Sequence, residues 1–438
     1  ITTGANLSAN KTLKKSKSPF IVKDGITVNS GVTLTLEPGV VIKFYSGESY
    51  LIGVGPIKAL GAAADKIIFT SFKDDAYGGY LNADAVSTTP AAQDWKTIEI
   101  QGSGTEFDQT IIRYGGKVVS GVTFGRANLK VISTSVSIKN SAIEEAGIYG
   151  IWLDTVSGTV EGNTLKNNKN DNLAAGLYLV GGSASISSNT FDTNKVGLKI
   201  ETGNTSSVNS NTFTGNQSHA IFMVSSHPTF SGNTVSNNGT NGIMITGNVS
   251  QDYTFVNNLT YVIEAAYAVN SGKTLTINAS TTVKFKDTSS AIDVNGKMSA
   301  EGTALSRIVF TSLNDDSFGG DTNNNGTTTA PAAGDWRSVS FIAGSATSTL
   351  DNVRVRYGGG FFSASGAVRI ADSSHEITNS VFESNNFNAL WLTGTGTTTV
   401  SNTAFRNNST AIRKESPHVF LDAGGNTFTG NTTDLLEL

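Results

Sequence analysis

The chain has 438 residues, no cysteine, 47 glycines and seven prolines, with 15% charged residues and a formal net charge of −4. Without cysteine there is no disulfide, thiolate metal site or cysteine nucleophile. Without a basic face, nucleic-acid binding through phosphate neutralisation is not expected, and no apolar run reaches the ~18 residues that a membrane-spanning helix needs.

The first 18 residues are polar, include Lys14-Lys15-Ser16-Lys17, and read as an entry cap over the first repeat. The chain starts at Ile1, so the expectation is that a leader or neighbouring domain has been removed. From residue 19, short strands with alternating faces follow, Gly31-Val32-Thr33-Leu34-Thr35-Leu36 and Val41-Ile42-Lys43-Phe44 among them. A long insertion, 72–94, follows the strand Ile67-Ile68-Phe69-Thr70 and returns to Trp95. Beyond Arg113-Tyr114-Gly115-Gly116, an Asn followed by Ser or Thr recurs at 140, 163, 189, 211 and 233, and a second Asn usually follows five residues later.

At an offset of 241 residues the sequence repeats itself. Ile67 to Gly79 reads IIFTSFKDDAYGG and Ile308 to Gly320 reads IVFTSLNDDSFGG; Asp94-Trp95 returns as Asp335-Trp336. The predicted organisation is a module over 19–250 and a second over 251–438, the latter with its own insertion at 313–335. In the second copy the Asn pairs fall at 379, 402 and 426.

A unit of ~22–24 residues cannot bury its inner face alone, but stacked units share one core and pair their backbones from coil to coil. The predicted fold is therefore all-β: a parallel β-helix, or β-solenoid, of roughly 18 coils in two tandem homologous modules. The recurring Asn suits left-handed backbone and can bond to the same Asn one coil away. Leucine-rich repeats have a similar period, but the L-x-x-L-x-L framework is absent. An antiparallel sandwich would not hold one long offset.

The GVTLTLEPGVVIKF opening, the IIFTS strand, the DDxxGG loop, the DW turn and the RYGG turn resemble the right-handed parallel β-helix repeat proteins of bacterial surfaces, which share the pectate-lyase-like fold. The resemblance implies a secreted or cell-surface setting. It does not choose among the lyases, hydrolases, adhesins and phage spikes that use this fold.

The insertions carry the candidate chemistry. Asp321-Thr322-Asn323-Asn324-Asn325-Gly326 has the alternating oxygen ligands and sharp-turn glycine of the first half of an EF-hand-like loop, without the later Glu. Asp315, Asp316, Asp321, Asn323 and Asn325 are the candidate Ca2+ ligands there, and Asp74, Asp75, Asn82 and Asp84 are those of the first loop. Tyr77, Tyr80, Phe318, Phe361 and Phe362 are candidate sugar-stacking rings, while Trp95 and Trp336 are expected to anchor the loop bases. His219, His227, His375 and His418 are scattered, without metal-ligand spacing, and are expected in turns or satisfied at the surface. No catalytic residue stands out. The expectation is a non-catalytic adhesin or extracellular scaffold that binds polysaccharide or another surface, with self-association through solenoid ends as a further possibility. The alternative is a lyase or hydrolase acting on uronate-containing glycans.

Overall fold

The computed structural model describes residues 5–81, 88–118, 124–360 and 365–438. Contacts divide the chain into two compact units, Ile1–Phe222 with Pro228–Gly239, and Met223–His227 with Thr240–Leu438. The described residues form short strands and one 3-10 turn, Lys15–Lys17. None of their helices is long and apolar enough to cross a membrane.

In the first unit each coil contributes three strands, and each strand pairs in parallel with its counterpart on the next coil. Residues 5–13 already take part: Ala5–Leu7 pairs with Ile26 to Val28, and Lys11–Leu13 with Leu34 to Leu36. One face runs through Ile98–Ile100, Ala127–Ile132, Tyr149–Asp154, Ala175–Val180 and Val196–Glu201. The other two faces are nine-stranded sheets. Period-2 alternation sends Leu129, Val131, Ile151, Leu153, Leu177, Leu179, Leu198 and Ile200 inward, where all are buried. Each such burial contributes about 1.5–3 kcal/mol.

The second unit repeats this plan. Its strand Tyr261–Val269 serves two faces. Tyr261 to Ile263 pairs with Val283 to Phe285, while Ala266 to Val269 pairs with Ala291 to Val294.

The asparagines divide two tasks that the sequence reading gives to one residue. In the first unit Asn163, Asn189, Asn211 and Asn233 form a buried ladder, each amide nitrogen donating to the next amide oxygen at 3.0–3.1 Å. A second ladder runs Asn168, Asn194, Asn216, Asn238. The left-handed backbone lies one residue earlier, at Gly162, Ser188, Ser210 and Gly232. At positions 140, 379 and 402 the roles shift by one. There the Asn itself is left-handed (φ 47–50°), and the hydroxyl of Ser141, Ser380 or Thr403 takes the ladder position. Asn407 is likewise left-handed, so the second unit's ladder is Asn385, Asn408, Asn431. An unmatched rung leaves a buried amide or carbonyl without a partner, at a cost of about 1–3 kcal/mol.

Candidate ligand-binding site

Parallel pairing sets the outward residues of successive coils one above another, about 4.8 Å apart. In the first unit this produces the column Glu99, Lys130, Trp152, Tyr178, Lys199. Lys130 Nζ lies 4.2 Å from the Trp152 ring centre and Lys199 Nζ 4.9 Å from that of Tyr178. The column is closed by its own charges. Lys130 pairs with Glu99 at 3.8 Å and Lys199 with Glu201 at 3.0 Å, and the Tyr178 hydroxyl donates to Glu201 at 2.6 Å. Tyr149 stacks on Tyr178 at 4.5 Å, and Tyr149 and Trp152 are buried. Burial pushes the Tyr149 phenol up to about 12, with Glu201 adding to the shift.

The second unit carries the column Asp293, Ser340, Arg369, Trp391, Arg413. The guanidinium of Arg369 lies 4.9 Å from the Trp391 ring centre and that of Arg413 5.4 Å from it. Arg413 pairs with Glu415 at 2.6 Å, and Arg337 Nη2 bridges both oxygens of Asp293 at 3.0 and 3.3 Å. Among the described residues Arg369 has no carboxylate within 4.0 Å. Beside it opens a cavity of about 360 Å3, lined by Asp293, Arg337, Ser340, Ser365, Arg369 and Trp391. The arrangement offers an aromatic edge, serine hydroxyls and one uncompensated cation.

The insertion loops are built on a common base. Trp95 and Trp336 are fully buried and stack on Phe44 and Phe285 at 4.1 and 4.0 Å; their indole N–H groups donate to the carbonyls of Arg113 and Arg356 at 2.9 Å. Both therefore act as the expected packing anchors. Asp74 and Asp315 are buried turn carboxylates. Each accepts from a threonine hydroxyl, Thr70 or Thr311, and lies 3.6 Å from the Nε of Arg113 or Arg356. Asp321 closes its own turn, accepting from the backbone N–H groups of Asn325 and Gly326 at 3.0 and 2.8 Å. Asn82 and Asp84 lie outside the described residues.

Sequence reasoning passed over Lys43 and Lys284, both fully buried beneath these loops. Lys43 Nζ donates to the Gly79 carbonyl at 2.8 Å and Lys284 Nζ to that of Gly320 at 2.7 Å. Those glycines sit at φ 72° and 69°, in the left-handed region that favours glycine. Burial lowers Lys284 to about 8, against the opposing pull of Asp316, Asp315 and Asp321. A lone charge inside the apolar runs VVIKF and TTVKF was the available signal.

The candidate rings do not share one platform. Tyr77 is half-buried against Val41, Ile68 and Ile111, with the Arg113 guanidinium 5.7 Å away. Tyr80 is 49% exposed. Phe318 is half-buried beside Arg354 and Arg356, at 5.2 and 5.4 Å. Phe361 and Phe362 lie outside the described residues.

Three histidines are buried rather than at the surface: His227, His375 and His418. His375 opens the strand His375–Thr378, where its Nδ1 accepts from the Ser348 N–H at 3.0 Å and its ring packs on Phe341. Burial and the nearby His418 lower it to about 4. Among the described residues no group of three or more acidic residues or histidines is arranged to hold a metal ion.

A family model described as a right-handed beta helix region matches residues 120–283, and one described as a pectate-lyase like beta helix domain matches residues 247–412. Protein bark beetle of Drosophila melanogaster is 33% identical over 73 residues, which is 17% of this chain and 2% of that protein. The Agl-KA catalytic domain aligns at 13% identity over 91% of this chain and 63% of its own, with a TM-score of 0.35. PfbA, a surface adhesin of Streptococcus pneumoniae, aligns at 11% identity over 98% of this chain and 85% of its own, with a TM-score of 0.22. Coil-to-coil parallel pairing and the two family matches agree: the chain carries right-handed, pectate-lyase-like β-helix domains.

Proposed function

We propose that this is a secreted or cell-surface, non-catalytic β-helix protein that binds polysaccharide on the outer face of its second unit. The observation that carries this reading is the Arg369–Trp391 cleft. A guanidinium without a carboxylate partner stands beside an indole and two serines, in a cavity of about 360 Å3. Sugars present apolar ring faces and many hydroxyls, and such a wall meets both. Glycoside hydrolysis generally uses two carboxyl groups across the scissile bond. The cleft lining contains one, Asp293, and Arg337 holds it.

The test is retention of the whole chain on a panel of immobilised polysaccharides, neutral and acidic, beside the Arg369→Gln variant. The expected result is retention on at least one polymer, weakened about tenfold in the variant, the scale of one lost charged hydrogen bond. Uniform failure to bind, or binding indifferent to Arg369, contradicts the site. New reducing ends or unsaturated products during incubation would replace binding with catalysis.

A further inference from the structure

The second insertion loop contains side-chain oxygens that its own donors leave unmatched. Among the described residues, four carboxylate or amide oxygens are buried without a hydrogen-bond partner: Asp75 Oδ1, Asp316 Oδ1, Asn323 Oδ1 and Asn325 Oδ1. Three of the four belong to the loop 313–335. We propose that this loop binds one Ca2+ ion through Asn323 Oδ1, Asn325 Oδ1 and the carboxylates of Asp316 and Asp321.

The direction of the hydrogen bonds fixes which end of each amide is left over. Asp335 is a carboxylate and can only accept. Asn314 presents its nitrogen to Asp335 Oδ2 at 3.5 Å, so its oxygen turns the other way. That oxygen accepts the Thr329 hydroxyl at 3.0 Å and the Asn323 nitrogen at 3.3 Å. With its single proton committed, Thr329 Oγ1 accepts from the nitrogens of Asn323 and Asn325 at 3.4 and 2.7 Å. Turning Asn323 over would set its oxygen against the Asn314 oxygen, which has no proton to give. Both amide oxygens thus remain acceptors without a donor, a cost that a cation removes for all three orphaned oxygens together.

Charge gives a second, independent reason. Where the second loop has Asn314, the first has Lys73, which bridges Asp94 at 2.7 Å. Across the first loop and its base, Asp74, Asp75, Asp84 and Asp94 stand against Lys43, Lys73 and Arg113, one negative charge in excess. The second sets Asp315, Asp316, Asp321 and Asp335 against Lys284 and Arg356, leaving two negative charges in excess. A divalent cation restores neutrality.

The donor set selects the ion. It is all oxygen, half of it neutral amide, with no histidine or thiolate. Calcium accepts six to eight such oxygens in flexible geometry, whereas zinc prefers nitrogen and sulfur and magnesium demands a tight octahedron. With two carboxylates among the donors, the affinity belongs with weak extracellular calcium modules, a Kd of about 10⁻⁴–10⁻³ M.

The experiment is calorimetric titration of the whole chain with CaCl2, paired with thermal melting in calcium and in EDTA. One site of that affinity is expected, with a melting temperature about 1–3 °C higher at saturating calcium. Asn323→Ala with Asn325→Ala should abolish both signals while the melting temperature in EDTA stays unchanged. Asn314→Lys, which installs the residue of the first loop, should abolish them as well and guards against misfolding of the double variant. Absent heat with an unchanged melting temperature overturns the proposal, as does a full calcium response in either variant.

Discussion

The loops at 72–94 and 313–335 stand on the same buried frame and settle their charges differently. Each has a tryptophan stacked on a phenylalanine, a buried lysine under a left-handed glycine, and a turn aspartate between threonine and arginine. These groups face the core, where a changed volume or an unpaired polar group costs kilocalories. At the outer layer Lys73 has an asparagine as its counterpart, and Tyr80 stands in sequence where the second loop has Asp321, with Asn82 and Asp84 at the positions of Asn323 and Asn325. On the calcium proposal, two copies of one module keep a scaffold and exchange a built-in ammonium for a bound ion. The outer columns differ in the same manner. Glu99 and Glu201 neutralise the first, while Arg369 leaves the second open.

The largest expected effect tests the shared frame. Trp95→Ala and Trp336→Ala should each cost about 3–5 kcal/mol, measured by denaturant unfolding. A negligible cost at one position would show that the two bases are not equivalent.

Acid should separate the units next. His375, packed among Ser345, Ser348, Ser373 and Phe341 with His418 nearby, is lowered by burial to about 4. Its folded value lies below the unfolded ~6.5, so its contribution is complete above pH 6.5 and is lost as pH falls towards 4. A loss of about 2 kcal/mol is expected. Hydrogen exchange at pH 5 and 7.5, corrected for intrinsic rates, should show protection falling at coils around residues 345–375 more than around 130–200. Equal loss in both regions would remove His375 from the account.

The smallest effect comes from Lys73→Asn. Its ion pair with Asp94 is partly exposed, so its loss should cost less than about 1 kcal/mol. The substitution should not create a calcium response, because Tyr80 still stands in sequence where the second loop has Asp321. A response gained by this single change would mean that charge alone makes the site.

The coils were legible in the sequence because alternation, the 241-residue offset and the Asn recurrence are local or periodic signals. Trp95 and Trp336 were legible too, as the points where insertions rejoin the pattern. The outer columns were not. Lys130, Trp152, Tyr178 and Lys199 are 22, 26 and 21 residues apart, and only the register through turns of unequal length stacks them. The ligand candidates Tyr77 and Phe318 were chosen for lying in loops, but a loop ring can fold back on the wall, as Tyr77 does on Val41 and Ile68. The acidic and amide residues of the second loop were visible as a motif. What the motif concealed was the donor direction, set by Asp335 and passed through Asn314 and Thr329.

Anomalous diffraction from crystals of the whole chain grown in calcium tests the divergence of the two loops most directly. One peak is expected at about 2.3–2.6 Å from Asn323 Oδ1 and Asn325 Oδ1, and none in the loop 72–94. Peaks in both loops, or in neither, would contradict it.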